Sequence, residues 1–268
     1  MTSHPAAPLM RTTPEGLLWE PSERWVRGRA GDVTVVDSRH PVLVWEPHLP
    51  VPQYAFPRAD VRTDLLRPAR KPPGGRRHTG STVFYDLEAG GGTRPNAAWT
   101  FPADDLAGHI AFAWFPRTDT GLDHWYEEEE EIFVHPRDPH KRVDAMASSR
   151  HVRVEIGGTV VADTRTPALL FETSLPTRYY LPREDVRLDL FEATAHSTRC
   201  PYKGIARYWS RRGGAGVPPD LAWSYPDPLP AVRVIRNRIA FFDEVVDITV
   251  DGERQERPVT HFSAGLTV

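Results

Sequence analysis

The stretch VRVEIGGTVVADTRTPALLFETSLP, at Val152–Pro176, repeats VRGRAGDVTVVDSRHPVLVWEPHLP, at Val26–Pro50, with an offset of 126 residues. Eleven of the 25 aligned positions are identical. One residue is then extra in the first copy, and Gln53–Leu65 aligns with Arg178–Leu190 with 8 identities in 13 positions. Self-similarity at a fixed offset indicates an internal duplication. The sequence therefore predicts two similar units in one chain.

Each copy carries short apolar runs that predict β-strands. In the second copy, Thr159–Arg165 and Pro167–Thr173 are rich in β-branched or apolar residues, and Asp185–Leu190 alternates between polar and apolar positions. The 27 prolines and 19 glycines interrupt the chain too often for long helices. A short helix is expected only around Pro102–Leu106. We predict an all-β fold of two duplicated small domains, each an antiparallel curled sheet or open barrel with few short helices.

The repeat boundaries predict five segments. They are a flexible N-terminal segment at 1–20, a degenerate first repeat at 21–122, an acidic and Pro-rich linker at 123–150, a second repeat at 151–252 and a C-terminal tail at 253–268. The linker contains the glutamate run Glu127–Glu131, which is interpreted as a solvated strand edge because charge runs usually face water. A cation site is the alternative. The Arg-rich stretch Lys71–His78 is expected to be an exposed turn.

Composition excludes several classes of protein. With 33 basic and 36 acidic residues and a pI near 6.4, the chain offers no electrostatic reason to expect a nucleic-acid partner. Mean hydropathy is -0.47 and no apolar run approaches about 18 residues, so no membrane span is expected. The N-terminus lacks the apolar core of a secretory signal, which predicts a cytoplasmic protein. The single cysteine, Cys200, excludes an internal disulfide.

Several separated motifs of the second copy occur in the order of a known family. They are VRVEIGGTVVADT, LLFETSLPTRYYLPREDVRLDL, HSTRCPYKGIARYWS, AWSYPDP and RIAFFDEVVD. Over about Val152–Asp251 the sequence resembles the domain of unknown function 427 family, which has also been labelled nucleotidyltransferase-like. The first half, together with His135–Glu155, resembles the tandem form seen in actinobacteria and fungi. The resemblance implies a compact β-rich domain and no established reaction.

The motif CPYKG, at Cys200–Gly204, holds the densest group of reactive side chains. Its Pro and Gly favour a turn, which would let the Cys200 and Lys203 side chains converge. An ammonium beside a thiol lowers the thiol's pKa from about 8.5 toward neutrality, which would make Cys200 a nucleophile. In the alternative, a desolvated Lys203 loses its proton and attacks a carbonyl. A buried, inert cysteine beside a surface lysine is the structural interpretation.

Two carboxylates follow or lie within apolar strands. Glu172 and Asp185 are costly to bury unless they are paired, and the expected counter-charges are Arg178, Arg183 and Lys203. Burial raises the pKa of a carboxyl, which would suit a general base. The other interpretation is a structural ion pair. It is favoured because the first copy repeats these groups as Glu46, Arg58 and Asp60.

The difference between the copies points to the second one. Aligning His78 with His196 places Thr82 opposite Cys200 and Tyr85 opposite Lys203, so the first copy has neither thiol nor amine there. Groups present in both copies are better explained by folding. Reactive chemistry is therefore expected in the second copy, with Tyr202 and His196 as proton-transfer or orienting groups. No metal site is predicted, because a structural metal needs about four ligands.

We hypothesise a small-molecule enzyme whose pocket lies in the second repeat or between repeats and which uses Cys200 or Lys203. Its catalytic candidates are Cys200, Lys203, Tyr202, His196, Glu172 and Asp185, and its ligand-binding candidates are Arg178, Tyr180, Arg183, Tyr208, Trp209 and Trp223. The alternatives are a non-catalytic module that binds a small ligand or a protein through an aromatic cleft, and a scaffold without a pocket. No cofactor is predicted, since no glycine-rich stretch matches a phosphate-binding loop. The fused copies suggest a pseudo-dimeric monomer or a weak homodimer.

Overall fold

The computed structural model describes residues 16–47, 49, 51–70, 83–114, 121–214, 216–260 and 262–263. The chain divides into two compact units, Met1–Asp138 and Pro139–Val268. Both are built from antiparallel sheets, which confirms the all-β prediction. None of the sheets formed by the described residues closes into a barrel. The predicted turn at 71–78 and the first 15 residues of the predicted N-terminal segment lie outside the described residues.

The first unit contains two sheets. Its strands are β1 (Leu18–Pro21), β2 (Val26–Ala30), β3 (Val33–Ser38), β4 (Val42–Trp45), β5 (Gln53–Pro57), β6 (Leu66–Pro68), β7 (Phe84–Ala89), β8 (Gly92–Trp99), β9 (His109–Phe112), β10 (His124–Glu127) and β11 (Glu130–Ile132). One sheet has the order β1-β4-β5-β9-β8-β7-β6 and the other has the order β11-β10-β2-β3. Short 3-10 helices cover Arg58–Asp60, Thr63–Leu65 and Asp104–Leu106. The last of these falls within the helix expected at Pro102–Leu106.

The second unit repeats this arrangement. Its strands are β12 (Val143–Ala147), β13 (Val152–Ile156), β14 (Thr159–Thr164), β15 (Ala168–Glu172), β16 (Arg178–Tyr180), β17 (Phe191–Cys200), β18 (Gly204–Arg211), β19 (Ala222–Ser224), β20 (Ala240–Phe241), β21 (Asp247–Val250) and β22 (Glu253–Arg254). They form sheets with the orders β12-β15-β16, β17-β18-β19-β20 and β14-β13-β21-β22. A bridge between Leu181 and Ile239 joins the first two. The 3-10 helices are Arg183–Asp185, Leu188–Leu190 and Pro230–Ile235.

Local details repeat as well as strand order. The β2–β3 hairpin shifts register between Gly28 and Arg29, and the β13–β14 hairpin does so between Val154 and Glu155, 126 residues later. The stretch assigned to a linker, 123–150, is not a free connection. It contributes β10 and β11 to the first unit and β12 to the second. The sequence indicated a strand edge only at the glutamate run and did not predict β12.

The glutamate run forms a hairpin between β10 and β11. Glu128, Glu129 and Glu130 are exposed, as expected of a solvated edge. Glu127 departs from that expectation, because it is buried and accepts hydrogen bonds from Arg24 Nη1 at 2.7 Å and from the Tyr54 hydroxyl at 3.1 Å. Its charge is buried together with a cationic partner, which is the condition that makes such burial tolerable.

Strand pairing also corrects the alignment of the reactive motif. Tyr85 lies opposite Ala98 in the first unit, and Trp209 lies opposite Ala222 in the second. Because Ala98 and Ala222 each precede the tryptophan of their repeat, Tyr85 is the counterpart of Trp209 and not of Lys203. The other aligned residues, His78 and Thr82, lie outside the described residues. The sequence alignment failed here because the two copies share almost no residues between β6 and β7.

Candidate functional site

The second unit brings Cys200 and Lys203 together in a tight turn. Cys200 ends β17, Gly204 begins β18, and the Lys203 amide donates a hydrogen bond to the Cys200 carbonyl at 3.3 Å. Gly204 adopts a φ of +107°, and a Cβ there would lie 3.2 Å from the Asp227 carbonyl oxygen. The turn therefore requires glycine at this position. The turn therefore places the Cys200 thiol and the Lys203 ammonium at the same end of the β17–β18 hairpin.

A buried carboxylate anchors this turn. Glu172, at the end of β15, accepts a charge-assisted hydrogen bond from Lys203 Nζ, and its other oxygen lies 3.1 Å from Lys141 Nζ. The Glu172 side chain is only 6% exposed and that of Lys203 only 12%. Of the 33 Lys and Arg residues, only three are lysines, and two of these pair with Glu172. Lysine is thus concentrated at one carboxylate in a chain that otherwise uses arginine.

Two buried phenols complete the group. The Tyr180 hydroxyl accepts a hydrogen bond from Trp223 Nε1 at 3.0 Å, and Tyr180 and Tyr225 pack in one apolar cluster with their rings 6.4 Å apart. Burial raises the pKa of Tyr180 to about 12, although the neighbouring Lys203 opposes this. Burial also raises the pKa of Tyr225 well above its usual value. We call Lys141, Glu172, Tyr180, Cys200, Lys203 and Tyr225 the Cys200 cluster.

The charges of the Cys200 cluster stabilise one another. Burial alone would lower the pKa of Lys203, but its interactions with Cys200 and Glu172 raise it above its ordinary value. Burial alone would raise the pKa of Glu172, but the ammonium groups of Lys203 and Lys141 lower it. These directions correct two expectations. The raised pKa of Lys203 favours an ammonium over a neutral amine nucleophile, and the lowered pKa of Glu172 favours an ionised carboxylate over a general base with a raised pKa.

Tyr202, His196 and Tyr208 lie around this turn. The Lys141 ammonium lies 5.8 Å from the centre of the Tyr202 ring, within cation–π range. His196 is exposed on β17, and its ring centre lies 4.6 Å from that of Tyr208. Tyr208 is hydrogen-bonded to Thr198 at 2.8 Å and interacts electrostatically with Cys200. Five of the predicted catalytic residues therefore belong to or border one region.

Asp185 lies apart from that group and holds the fold. It accepts a hydrogen bond from the Thr164 hydroxyl at 2.6 Å, and in the first unit Asp60 accepts the same bond from Ser38 at 2.6 Å. A contact made by both copies supports a structural role. Arg183 is exposed with its guanidinium 5.3 Å from the centre of the Trp209 ring, and Trp209 packs against a different apolar cluster from the one that contains Tyr180 and Tyr225.

Arg178 also serves a different partner from the one expected. It is buried and makes a bidentate pair with Glu244, at 2.8 and 2.6 Å, while Asp243 Oδ1 lies 3.3 Å from its Nη1. Trp223 is 7% exposed and Tyr180 only 1%, so they form core rather than the wall of an aromatic cleft. An open cavity of the second unit lies elsewhere, beside Tyr179 and Asp243.

The first unit keeps a buried carboxylate in the same layer, because Glu46 accepts a hydrogen bond from Trp99 Nε1 at 3.2 Å, but it lacks the two phenols. Strand pairing makes Ala55 the counterpart of Tyr180, since each faces the first residue of its neighbouring strand. Phe101 lies two residues after Trp99, as Tyr225 lies two residues after Trp223. Where the second unit places two phenols, the first has an alanine and a phenylalanine. This difference supports the expectation that reactive chemistry belongs to the second copy.

The fold and this site define a duplicated all-β protein whose second copy carries a buried lysine–glutamate pair beside a thiol. The chain belongs to the family described as a domain of unknown function, DUF427. The family's model matches it twice, over residues 18–128 and 144–252, which confirms the predicted tandem form. Comparison with curated proteins finds no match.

Sequence reasoning missed three residues near these sites. Lys141 was assigned to the linker, Tyr225 was read only as part of a family motif, and Asp243 was not singled out. The scarcity of lysine would have pointed to Lys141. Within the described ranges, no three His, Cys, Asp or Glu side chains are grouped to hold a metal ion. No helix of the described part of the chain is long and apolar enough to cross a membrane.

Proposed function

We propose that the second unit is a small-molecule enzyme whose reaction centre is the turn between β17 and β18. Cys200 is its nucleophile, and Lys203 is a fixed ammonium that stabilises negative charge on the sulfur or on the attacked oxygen. The observation that carries this proposal is the convergence of Cys200 and Lys203 on one turn above the buried Glu172. Such groups of interacting, desolvated side chains are typical of functional sites.

The other groups have supporting roles in this proposal. Glu172 holds Lys203 in place, because its carboxylate is buried and two ammonium groups lower its pKa, which favours the ionised form. His196, which is exposed on β17, and Tyr202, which lies in the turn, serve as proton-transfer or orienting groups. The substrate class that fits is a small electrophile, such as an acyl compound, that accepts a thiolate at carbon and develops charge on oxygen beside Lys203.

The reactivity of the single cysteine tests this proposal directly. Alkylation by iodoacetamide reports on Cys200 alone, since the chain has no other thiol. We expect Lys203→Met to slow alkylation at pH 7 by roughly tenfold, which corresponds to about 1.4 kcal/mol of lost charge stabilisation. The measurement is the pseudo-first-order rate, followed by intact mass.

Lys141→Met is the matched control for this experiment. It removes the other ammonium from Glu172 but leaves Lys203, so the alkylation rate should stay within about twofold of the unmodified protein. Equal rates for the Lys203→Met variant and the unmodified protein would show that the ammonium does not activate the thiol. That result would favour the second candidate function, a non-catalytic binding module.

The binding module is favoured by one observation. The open cavity beside Tyr179 and Asp243 includes neither Cys200 nor Lys203 in its lining. We propose a small molecule as partner in either case, rather than nucleic acid or membrane. We also propose that the protein is cytoplasmic and acts as a pseudo-dimeric monomer or a weak homodimer. Sedimentation velocity distinguishes these two states, and a stable higher oligomer would contradict both.

A further inference from the structure

The second unit contains an open cavity of about 190 Å³. It lies between β16 and the two residues before it, the start of β21 and the segment that follows β22. The side chains that line it and that matter here are Thr177, Tyr179, Asp243, Ile248, Gln255 and Glu256. Two of these are carboxylates, and none of the lining residues is cationic. Ligand cavities combine an apolar wall with a few polar groups in this way.

Three of these residues have counterparts that close the same space in the first unit. Tyr179 aligns with Tyr54 in the repeated sequence. Ile248 lies opposite Val154, and its counterpart Trp125 lies opposite Gly28. Asp243 follows Phe241 by two residues, and its counterpart Trp114 follows Phe112 by two. The first unit therefore has Tyr54, Trp114 and Trp125 where the second has Tyr179, Asp243 and Ile248.

The aromatic counterparts are packed against one another. Trp114 stacks on Trp125 with ring centres 4.2 Å apart, and Trp114 lies 5.8 Å from the Tyr54 ring. Both tryptophans are about 97% buried or more. Gly28 makes this packing possible, since a Cβ there would lie 2.7 Å from Trp125. The second unit has Val154 at that position and the smaller Ile248 opposite, so the space stays open.

Asp243, Glu244 and Arg178 together carry one negative charge in excess when both carboxylates are ionised, and Glu256 in the cavity lining adds a second. Glu244 already accepts hydrogen bonds from both terminal nitrogens of Arg178, at 2.8 and 2.6 Å. Asp243 is 8% exposed, and its Oδ1 forms an ion pair with Arg178 Nη1 at 3.3 Å, which is longer than either Glu244 contact. One guanidinium thus faces two carboxylates. A cationic ligand in the cavity would supply the second positive charge that this arrangement lacks.

We propose that this cavity binds a small organic cation, a primary alkylammonium with a short apolar chain, whose ammonium group donates to Asp243. The Tyr179 hydroxyl, the Gln255 amide and the Glu256 carboxylate supply further polar contacts at the mouth, and Val246, Ile248 and Pro258 face the alkyl chain. This site is independent of the thiol chemistry proposed for Cys200. A cation site here accounts for the presence of Asp243 where the first unit has Trp114, and for the cavity beside Asp243.

Electrostatics give the site a defined pH response. Burial raises the pKa of Asp243 to about 7, Arg178 opposes the rise, and Glu244 adds to it. The titratable groups facing Asp243 are Arg178, Glu244 and Tyr179. An ammonium ligand favours the ionised carboxylate, so its binding displaces a proton, and its affinity should rise as the pH increases through about 7.

The test is a titration of the full chain with n-butylammonium chloride, followed by amide chemical shifts in ¹H–¹⁵N NMR spectra. We expect saturable shifts for residues around Tyr179, Asp243 and Gln255, and none with n-butanol or butyrate at equal concentration. Asp243→Asn should weaken binding at pH 8 by at least tenfold, because the variant keeps the shape of the side chain but loses its charge. The matched control is Asp227→Asn, which removes an exposed carboxylate elsewhere in the unit.

A second variant tests the shape of the site without changing its charge. Val154→Gly with Ile248→Trp copies the first unit's pair and should fill the cavity, abolishing the butylammonium shifts while the Cys200 alkylation rate stays unchanged. The proposal is overturned if the unmodified protein shows no saturable binding. It is also overturned if Asp243→Asn binds as the unmodified protein does, or if n-butanol produces the same shifts.

Discussion

At the scale of single residues, Glu172 shows how this chain tolerates a buried charge. Removing a carboxylate from water costs several kcal/mol, and only close, well-oriented partners repay that cost. Glu172 has two such partners, Lys203 and Lys141, and the pKa shifts of the pair favour both charged forms. Ion pairs of this kind add little net stability. Their retention fits a role in holding the Lys203 ammonium beside Cys200 in a fixed position.

The raised pKa of Asp243 predicts how the free energy of unfolding changes with pH. Its folded pKa of about 7 lies above the ordinary value of 3.8, so the folded state binds its proton more tightly than the unfolded state. This stabilisation is complete below about pH 4 and is lost as the pH rises through 7. Asp243→Asn cannot ionise, so we expect its free energy of unfolding to exceed that of the unmodified protein increasingly from pH 5 to pH 8. Urea unfolding at several pH values measures the difference, and a constant difference would contradict the raised pKa.

Residue roles were only partly predictable from the sequence. Asp185 was named a catalytic candidate although the duplication favoured a structural role for it, and the hydrogen bond that it shares with Asp60 supports the structural role. One of the two ion-pair partners of Glu172 was predicted. Lys203 was named, but Lys141 lies 31 residues from Glu172, and no local pattern reports a contact over that distance. The pKa directions depend on these contacts and so could not be predicted either.

At the scale of elements, the hairpins β2–β3 and β13–β14 have a register shift at equivalent positions but differ in the residue opposite it. Trp125 lies opposite Gly28 in the first unit, and Ile248 lies opposite Val154 in the second. The short apolar runs correctly predicted these strands, since an alternating or apolar run of four to eight residues is typical of β structure. Strand register was not predictable between β6 and β7, where the copies have diverged. A strand edge was expected at the glutamate run, but the burial of Glu127 with Arg24 and Tyr54 was not, because Glu127 resembles its exposed neighbours in the sequence.

The β2 strand supports a prediction on packing. A Cβ on Gly28 would lie 2.6 Å from a Leu122 methyl group, 2.7 Å from the Trp125 ring and 2.9 Å from Val36. These neighbours are core side chains, so Gly28→Ala should lower the free energy of unfolding by about 1–3 kcal/mol. Gly92→Ala is the control, because Gly92 also lies in a strand and a Cβ there would meet nothing within 4 Å. Urea unfolding measures both, and similar values for the two variants would contradict this account of Gly28.

At the scale of the whole molecule, the duplication was the most informative feature of the sequence. It correctly predicted two units, because insertion of a second copy repeats every apolar position needed for a core. Each unit has its own buried clusters. The clusters around Phe56 and Trp99 belong to the first unit, and those around Ile248 and Trp223 belong to the second. The two proposed sites both lie in the second unit, so function and repeat divergence coincide.

This separation of cores predicts that residues 139–268 fold when expressed alone. The two clusters of that unit bury large side chains such as Tyr180, Leu170 and Ile156, and a domain of this length lies within the size range of autonomous folds. We expect a cooperative urea transition, an unchanged Cys200 alkylation rate and the same butylammonium shifts. A folded fragment that loses alkylation or binding would show that the first unit contributes to the site, as a pocket between the repeats requires. An unfolded fragment would contradict independent cores.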